Sequence, residues 1–161
     1  MANKPRKKKV VLASGIFDLL HLGHVKFLED AKKTGGENAK LIVIVARDNT
    51  VEKTKGRKPI MPEDQRLALV KSLKVVDKAV LGYESLEIGE VIENFKPDVI
   101  ALGYDQDEME KRVAQYLNQH NMDTKIVRIG KFEGDELGSS SKIREKVVEN
   151  WRSRRSDHNF P

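Results

Sequence analysis

Cysteine is absent from this chain of 161 residues. That excludes a disulfide framework, a thiolate nucleophile and sulfur ligation of a metal. Long apolar runs are absent as well. The longest, Leu41–Ala46, is far short of the roughly 20 residues needed to cross a bilayer, so no membrane partner is expected. A charged start followed by a short strand-like run does not suit a secretory leader. No internal repeat and no low-complexity body segment is present. A cytoplasmic protein fits these exclusions.

Charge is present but uneven. Lys4, Arg6, Lys7, Lys8 and Lys9 cluster at one end; Arg152, Arg154 and Arg155 stand at the other, against Asp157. These ends outweigh the formal net charge of +5, so residues 10–151 are slightly acidic. Basic tails attract nucleic acid, yet solvated ends are the commoner outcome. Residues 1–8 and 152–161 are read as tails around one domain at 9–151, with nucleic acid not expected as a partner.

Apolar patterning predicts five strands alternating with five helices. The strands fall at Lys9–Ala13, Leu41–Ala46, Lys78–Leu81, Val99–Leu102 and Lys125–Ile129. The helices fall at Leu22–Lys33, Pro62–Leu73, Ser85–Phe95, Glu108–Asn118 and Ser141–Trp151. Leu22, Val25, Leu28 and Ala31 share one face of the first helix, and Gly35-Gly36 ends it. Residues 49–61 are polar and broken by Gly56 and Pro59, which predicts a loop. Trp151 is expected to pack. The alternation predicts an α/β fold, a Rossmann-like five-stranded parallel sheet with helices on both faces. Ligands of such sheets bind beyond the carboxyl ends of the strands.

The first strand delivers Ser14-Gly15-Ile16-Phe17-Asp18-Leu19-Leu20-His21-Leu22-Gly23-His24 to that edge. Two imidazoles at i and i+3 share one face of an opening helix. Helix starts offer free N–H groups and a positive dipole end to anions. Two histidines are a weak zinc signal, since zinc takes four ligands. Spacing alone leaves metal ligation, capping and phosphate binding open.

The wider string resembles the signature of the cytidylyltransferase-like nucleotidyltransferase superfamily. Gly15-Ile16-Phe17-Asp18 with His21-x-Gly23-His24 carries the match. Lys55-Gly56 and Met61 to Arg66 look like its lysine loop and following arginine, and Val76-Asp77 like a pair before its third strand. Pro97 to Gln106 is similar to its fourth strand and ribose-side loop, and Gly138 to Ile143 to its closing serine motif. The resemblance covers roughly residues 10 to 147. Ala46 to Val51, Lys55 to Ile60 and Leu102 to Gln106 look most like the archaeal-type FAD synthases. Glycerol-phosphate cytidylyltransferases instead tend to carry a double acid after the Gly103 equivalent and Arg-Thr-Glu-Gly before the serines. Here Tyr104 replaces the first acid, and Arg128 and Lys131 are the candidates for the missing arginine.

The resemblance implies adenylyl transfer, FMN + ATP → FAD + pyrophosphate. Its implied catalytic residues are His21, His24 and Lys55. Nucleotide contacts would come from Gly15, Ile16, Phe17, His21, His24, Asp105, Ser139, Ser140 and Ser141. Lys55, Arg66 and Asp18 would serve phosphate or acceptor. Mg²⁺ on the phosphates, no protein metal ligands and a homodimer are implied too. Plainer readings stand beside these: Asp18 as a turn residue, Arg66 as a brace of the lysine loop, Ser139–Ser141 as a helix cap, Asp105 as a loop residue. Tyr104 and Phe132 are candidates to stack on a flavin. The alternative activity is a cytidylyltransferase using CTP and glycerol 3-phosphate. A non-catalytic nucleotide- or RNA-binding protein is the rival from another class.

Overall fold

A computed structural model of the chain describes residues 7–83, 88–133 and 137–156. Its strands are β1 (Val10–Gly15), β2 (Lys40–Val45), β3 (Lys78–Leu81), β4 (Val99–Leu102) and β5 (Lys125–Arg128). They form one parallel sheet in the order β3-β2-β1-β4-β5. β1 is central, because its alternate residues are buried on both faces. Val11 and Ala13 join one core with Leu41, Val43, Val45, Val99 and Ala101. Leu12 joins the other with Ile44, Ile100 and Leu102. This two-faced burial is the reason the strands read as continuous apolar runs.

Helices cover both faces, as expected. α1 (Leu22–Lys33) brings Leu28 and Ala31 to the first core, where α3 (Glu63–Ser72) adds Val70. α4 (Ile88–Phe95) and α5 (Asp107–Gln119) bring Ile92, Val113 and Leu117 to the second. Each fully buried Leu, Ile or Val contributes about 1.5–3 kcal/mol. Leu22 lies exposed, so the inward face of α1 is narrower than its pattern predicted. The expected helix start at Ser85 lies outside the described residues.

Two expectations are corrected. Residues 49–61 are not one loop, because α2 (Asp48–Lys55) fills the first half. Asp48 suits its first turn, Val51 is its one buried residue, and Gly56 ends it in the left-handed conformation at φ 68°. A single buried side chain leaves no apolar periodicity to read. The last helix, α6 (Ser140–Ser156), runs past Trp151 into the region read as a tail. Trp151 does not pack into a core: it is exposed, with the Arg155 guanidinium 4.2 Å from its ring centroid. No helix among the described residues is long and apolar enough to cross a membrane.

The chain passes from β1 outward to β2 and β3, then returns to β4 beside β1. The crevice between the carboxyl ends of β1 and β4 is the switch point where such sheets take ligands.

Candidate active site

The loop from β1 to α1 is tightly built. A side chain at Gly15 would meet the Phe17 ring at 2.9 Å, so any larger residue there would force that ring to move. Phe17 and Leu19 both take positive φ, 56° and 50°, which bulky residues seldom adopt. Phe17 is buried, and its ring lies 5.3 Å from that of His24.

His21 caps α1 and His24 stands at its third position. Their rings stack with centroids 3.8 Å apart and planes 24° apart. The His21 backbone N–H donates to Nδ1 of His24 at 3.4 Å. In neutral His24 the ring proton therefore sits on Nε2, leaving a donor for an incoming anion. Burial above all, then the charge of His21, lowers the His24 pKa to about 3, against a weaker upward pull from Asp18.

The start of α6 meets this loop. A side chain at Gly23 would approach the Gly138 carbonyl to 2.6 Å, so glycine lets the two helix starts touch. The Ser139 hydroxyl accepts the Lys142 N–H at 3.3 Å, a helix cap, and the Ser140 hydroxyl donates to the Asp18 carbonyl. Two helix N-termini thus converge beside the imidazoles, an arrangement suited to phosphate.

Arg144 is the residue that sequence reasoning missed. It lies 3.6 Å from the Asp18 carboxylate and donates to the Ser141 hydroxyl at 3.3 Å. The available signal was its spacing, one turn beyond the serines on the same helix face.

Asp18 and Arg66 are both turned inward onto protein partners. Asp18 is 5% exposed, and its two oxygens accept the Met61 N–H at 3.0 Å and the Ile60 N–H at 3.1 Å. Arg66 is fully buried. It donates to the Ile16 and Met61 carbonyls and pairs with Asp48 at 2.6 Å. Its fork is satisfied by protein oxygens, which makes it a brace between the β1–α1 loop and the segment after α2. Asp48 and Glu63 tighten that brace, each carboxylate accepting the other's backbone N–H. Arg47 adds bonds to Glu63 and the Gly82 carbonyl.

Lys55 ends α2, exposed and without an ion pair to another described residue. Asp105 is exposed in the loop after β4. Gln106 shapes that loop, accepting the Gly103 N–H at 2.6 Å and donating to the Ser14 carbonyl at 3.4 Å, so it ties β4 to β1 at the crevice. Arg128 is held by Asp107, Glu110 and the Tyr104 carbonyl, whereas Lys131 lies 5.6 Å from the Tyr104 ring centroid.

A parallel sheet with a phosphate-suited cradle at its switch point places the protein among the nucleotide-binding α/β proteins. The comparisons go further. The cytidylyltransferase-like family profile matches residues 12–146, and the chain belongs to that family. It is 46% identical to FAD synthase of Methanopyrus kandleri over 144 residues, covering 89% of this chain and 95% of that one. It is 48% identical to FAD synthase of Thermoplasma volcanium, covering 86% and 94%. A solved structure titled lipopolysaccharide core biosynthesis protein, also from Thermoplasma volcanium, matches with TM-score 0.70 and 44% identity, covering 78% and 98%. Pantoate-beta-alanine ligase of Francisella tularensis, at 16% identity and TM-score 0.54, shares the fold alone.

Proposed function

We propose that this protein is an FAD synthase, transferring AMP from ATP to FMN with release of pyrophosphate. The carrying observation is near full-length identity of 46% and 48% to FAD synthases. A phosphate oxygen of FMN forms the new bond to the α-phosphorus of ATP, and the bond to the β-phosphate bridging oxygen breaks. The nucleophile is already an anion, so no side-chain nucleophile is required. Catalysis is positioning and charge stabilisation.

His21 and His24 hold the phosphates as charge moves to the bridging oxygen. Lys55, exposed on its segment, supplies a mobile point charge at the α-phosphate. Ser139, Ser140 and Ser141, with the N–H groups of α6 and the Arg144 guanidinium beside them, suit the leaving pyrophosphate. Gly15, Ile16 and Phe17 approach the nucleotide through backbone, and Asp105 meets the ribose hydroxyls. Among the described residues no three His, Asp or Glu side chains converge on a metal site. A divalent cation brought in with the nucleotide would supply charge neutralisation at its phosphates. A cytoplasmic homodimer completes the reading, with sedimentation velocity as the check on the dimer.

The deciding experiment offers ATP or CTP with FMN or glycerol 3-phosphate and measures pyrophosphate release. Turnover of ATP with FMN alone is expected. Turnover of CTP with glycerol 3-phosphate and none with FMN would replace this reading by the cytidylyltransferase one.

A further inference from the structure

We propose that Asp18 is a positioning residue that sets the Lys55-bearing segment against the histidine cradle and contacts no ligand itself. Residues 48–61 leave the body after β2 and return before α3. The root of this excursion is fastened, through Asp48 to Arg66 and Glu63, and through Met61 to Arg66. Its tip carries Lys55, Arg57 and Lys58, all exposed. Asp18 grips the returning limb at Ile60 and Met61 by two backbone N–H groups. The same residue accepts the Ser140 hydroxyl on its carbonyl and faces Arg144. One residue three positions before His21, through its carboxylate and its backbone carbonyl, thus joins the lysine segment to α6.

The local backbone explains how a loop residue does this. Positive φ at Phe17 and Leu19, on either side of Asp18, turns the chain so that its carboxylate points into protein, at 5% exposure. Such strain persists where the surroundings fix it. A phosphate contact is disfavoured on charge, since an anion would meet a carboxylate whose oxygens already have donors. Holding residues 60–61 limits where Lys55 swings, and a misplacement of about 1 Å costs about 10²-fold in rate.

The inference rests on the proposed function for its substrates and for the role of Lys55, so Lys55→Ala alone is measured before the cycle, and an undiminished kcat there counts against that role rather than against Asp18. The wild-type substrate matrix is run first, and the test then uses whichever pair turns over, so the two readings fail separately. The test is a double-mutant cycle of Asp18→Asn and Lys55→Ala. Asp18→Asn alone should lower kcat by about 10²-fold with nucleotide KM within about twofold. In the Lys55→Ala background the same change should cost less than about threefold, because its target is gone. Losses that multiply fully, or a loss confined to KM, overturn the proposal. If Asp18→Asn does not fold, amide hydrogen exchange of the wild type decides. Ile60 and Met61 should exchange far more slowly than residues 56–58, and exchange as fast as those neighbours overturns it.

Discussion

His21 and His24 stack at 3.8 Å, with the backbone N–H of the first on Nδ1 of the second. Two protonated imidazoles this close repel, and His24 is the one held neutral, its pKa lowered to about 3. The cradle therefore presents a neutral His24, its ring proton on Nε2, before a polyphosphate arrives.

That pairing makes stability depend on pH with a definite sign. The folded His24 binds its proton near pH 3, the unfolded one near 6.5. Between those values the unfolded chain holds more protons, so stability is full above about pH 6.5 and falls as pH drops towards 3. The loss is on the order of a few kcal/mol. Urea unfolding at pH 7 and pH 5 should show it, and His24→Gln should flatten it. Saturating nucleotide should also reduce the slope, because phosphate favours the protonated ring.

His24→Ala should lower turnover by orders of magnitude while circular dichroism stays native. The ring is only partly buried, and its removal costs His21 a stacking neighbour and its backbone N–H one long acceptor. Lost transition-state contacts lower kcat and kcat/KM together. Near-normal rates would return the histidines to a capping role.

Arg66→Met should destabilise the fold by about 3 kcal/mol, since it leaves a carboxylate and two carbonyls without their donor. Denaturant midpoints measure this. Arg66→Lys should recover only part, because a point charge cannot serve three directions at once. A normal midpoint with a raised nucleotide KM would make Arg66 a ligand contact after all.

Gly23→Ala tests the contact of the two helix starts. The new methyl would meet the Gly138 carbonyl at 2.6 Å and the His21 ring at 3.0 Å. Alanine ordinarily favours a helix, so a gain in stability is the naive expectation. Displacement of α6 should instead cut turnover at least tenfold, read in single-turnover assays.

The sheet was legible in the sequence because burial on both faces writes itself as unbroken apolar runs, as in Leu41–Val45 and Val99–Leu102. The histidine motif was legible because it is local: glycine, two imidazoles and a helix start lie within eleven residues. α2 was not, since Val51 alone is buried there. Nor was the role of Arg144, which acquires meaning only where α6 meets the β1–α1 loop.

By itself, then, the sequence determined the parallel α/β architecture and the residues that open α1 and α6 at one edge of the sheet, because each is encoded by neighbours along the chain. Only the tertiary structure decided that Arg66 is a buried brace and Asp18 an inward tie. Their partners lie 5 to 50 positions away for Arg66, and 42 to 126 for Asp18. Charge in a sequence does not say whether a side chain faces water or closes on the protein's own backbone.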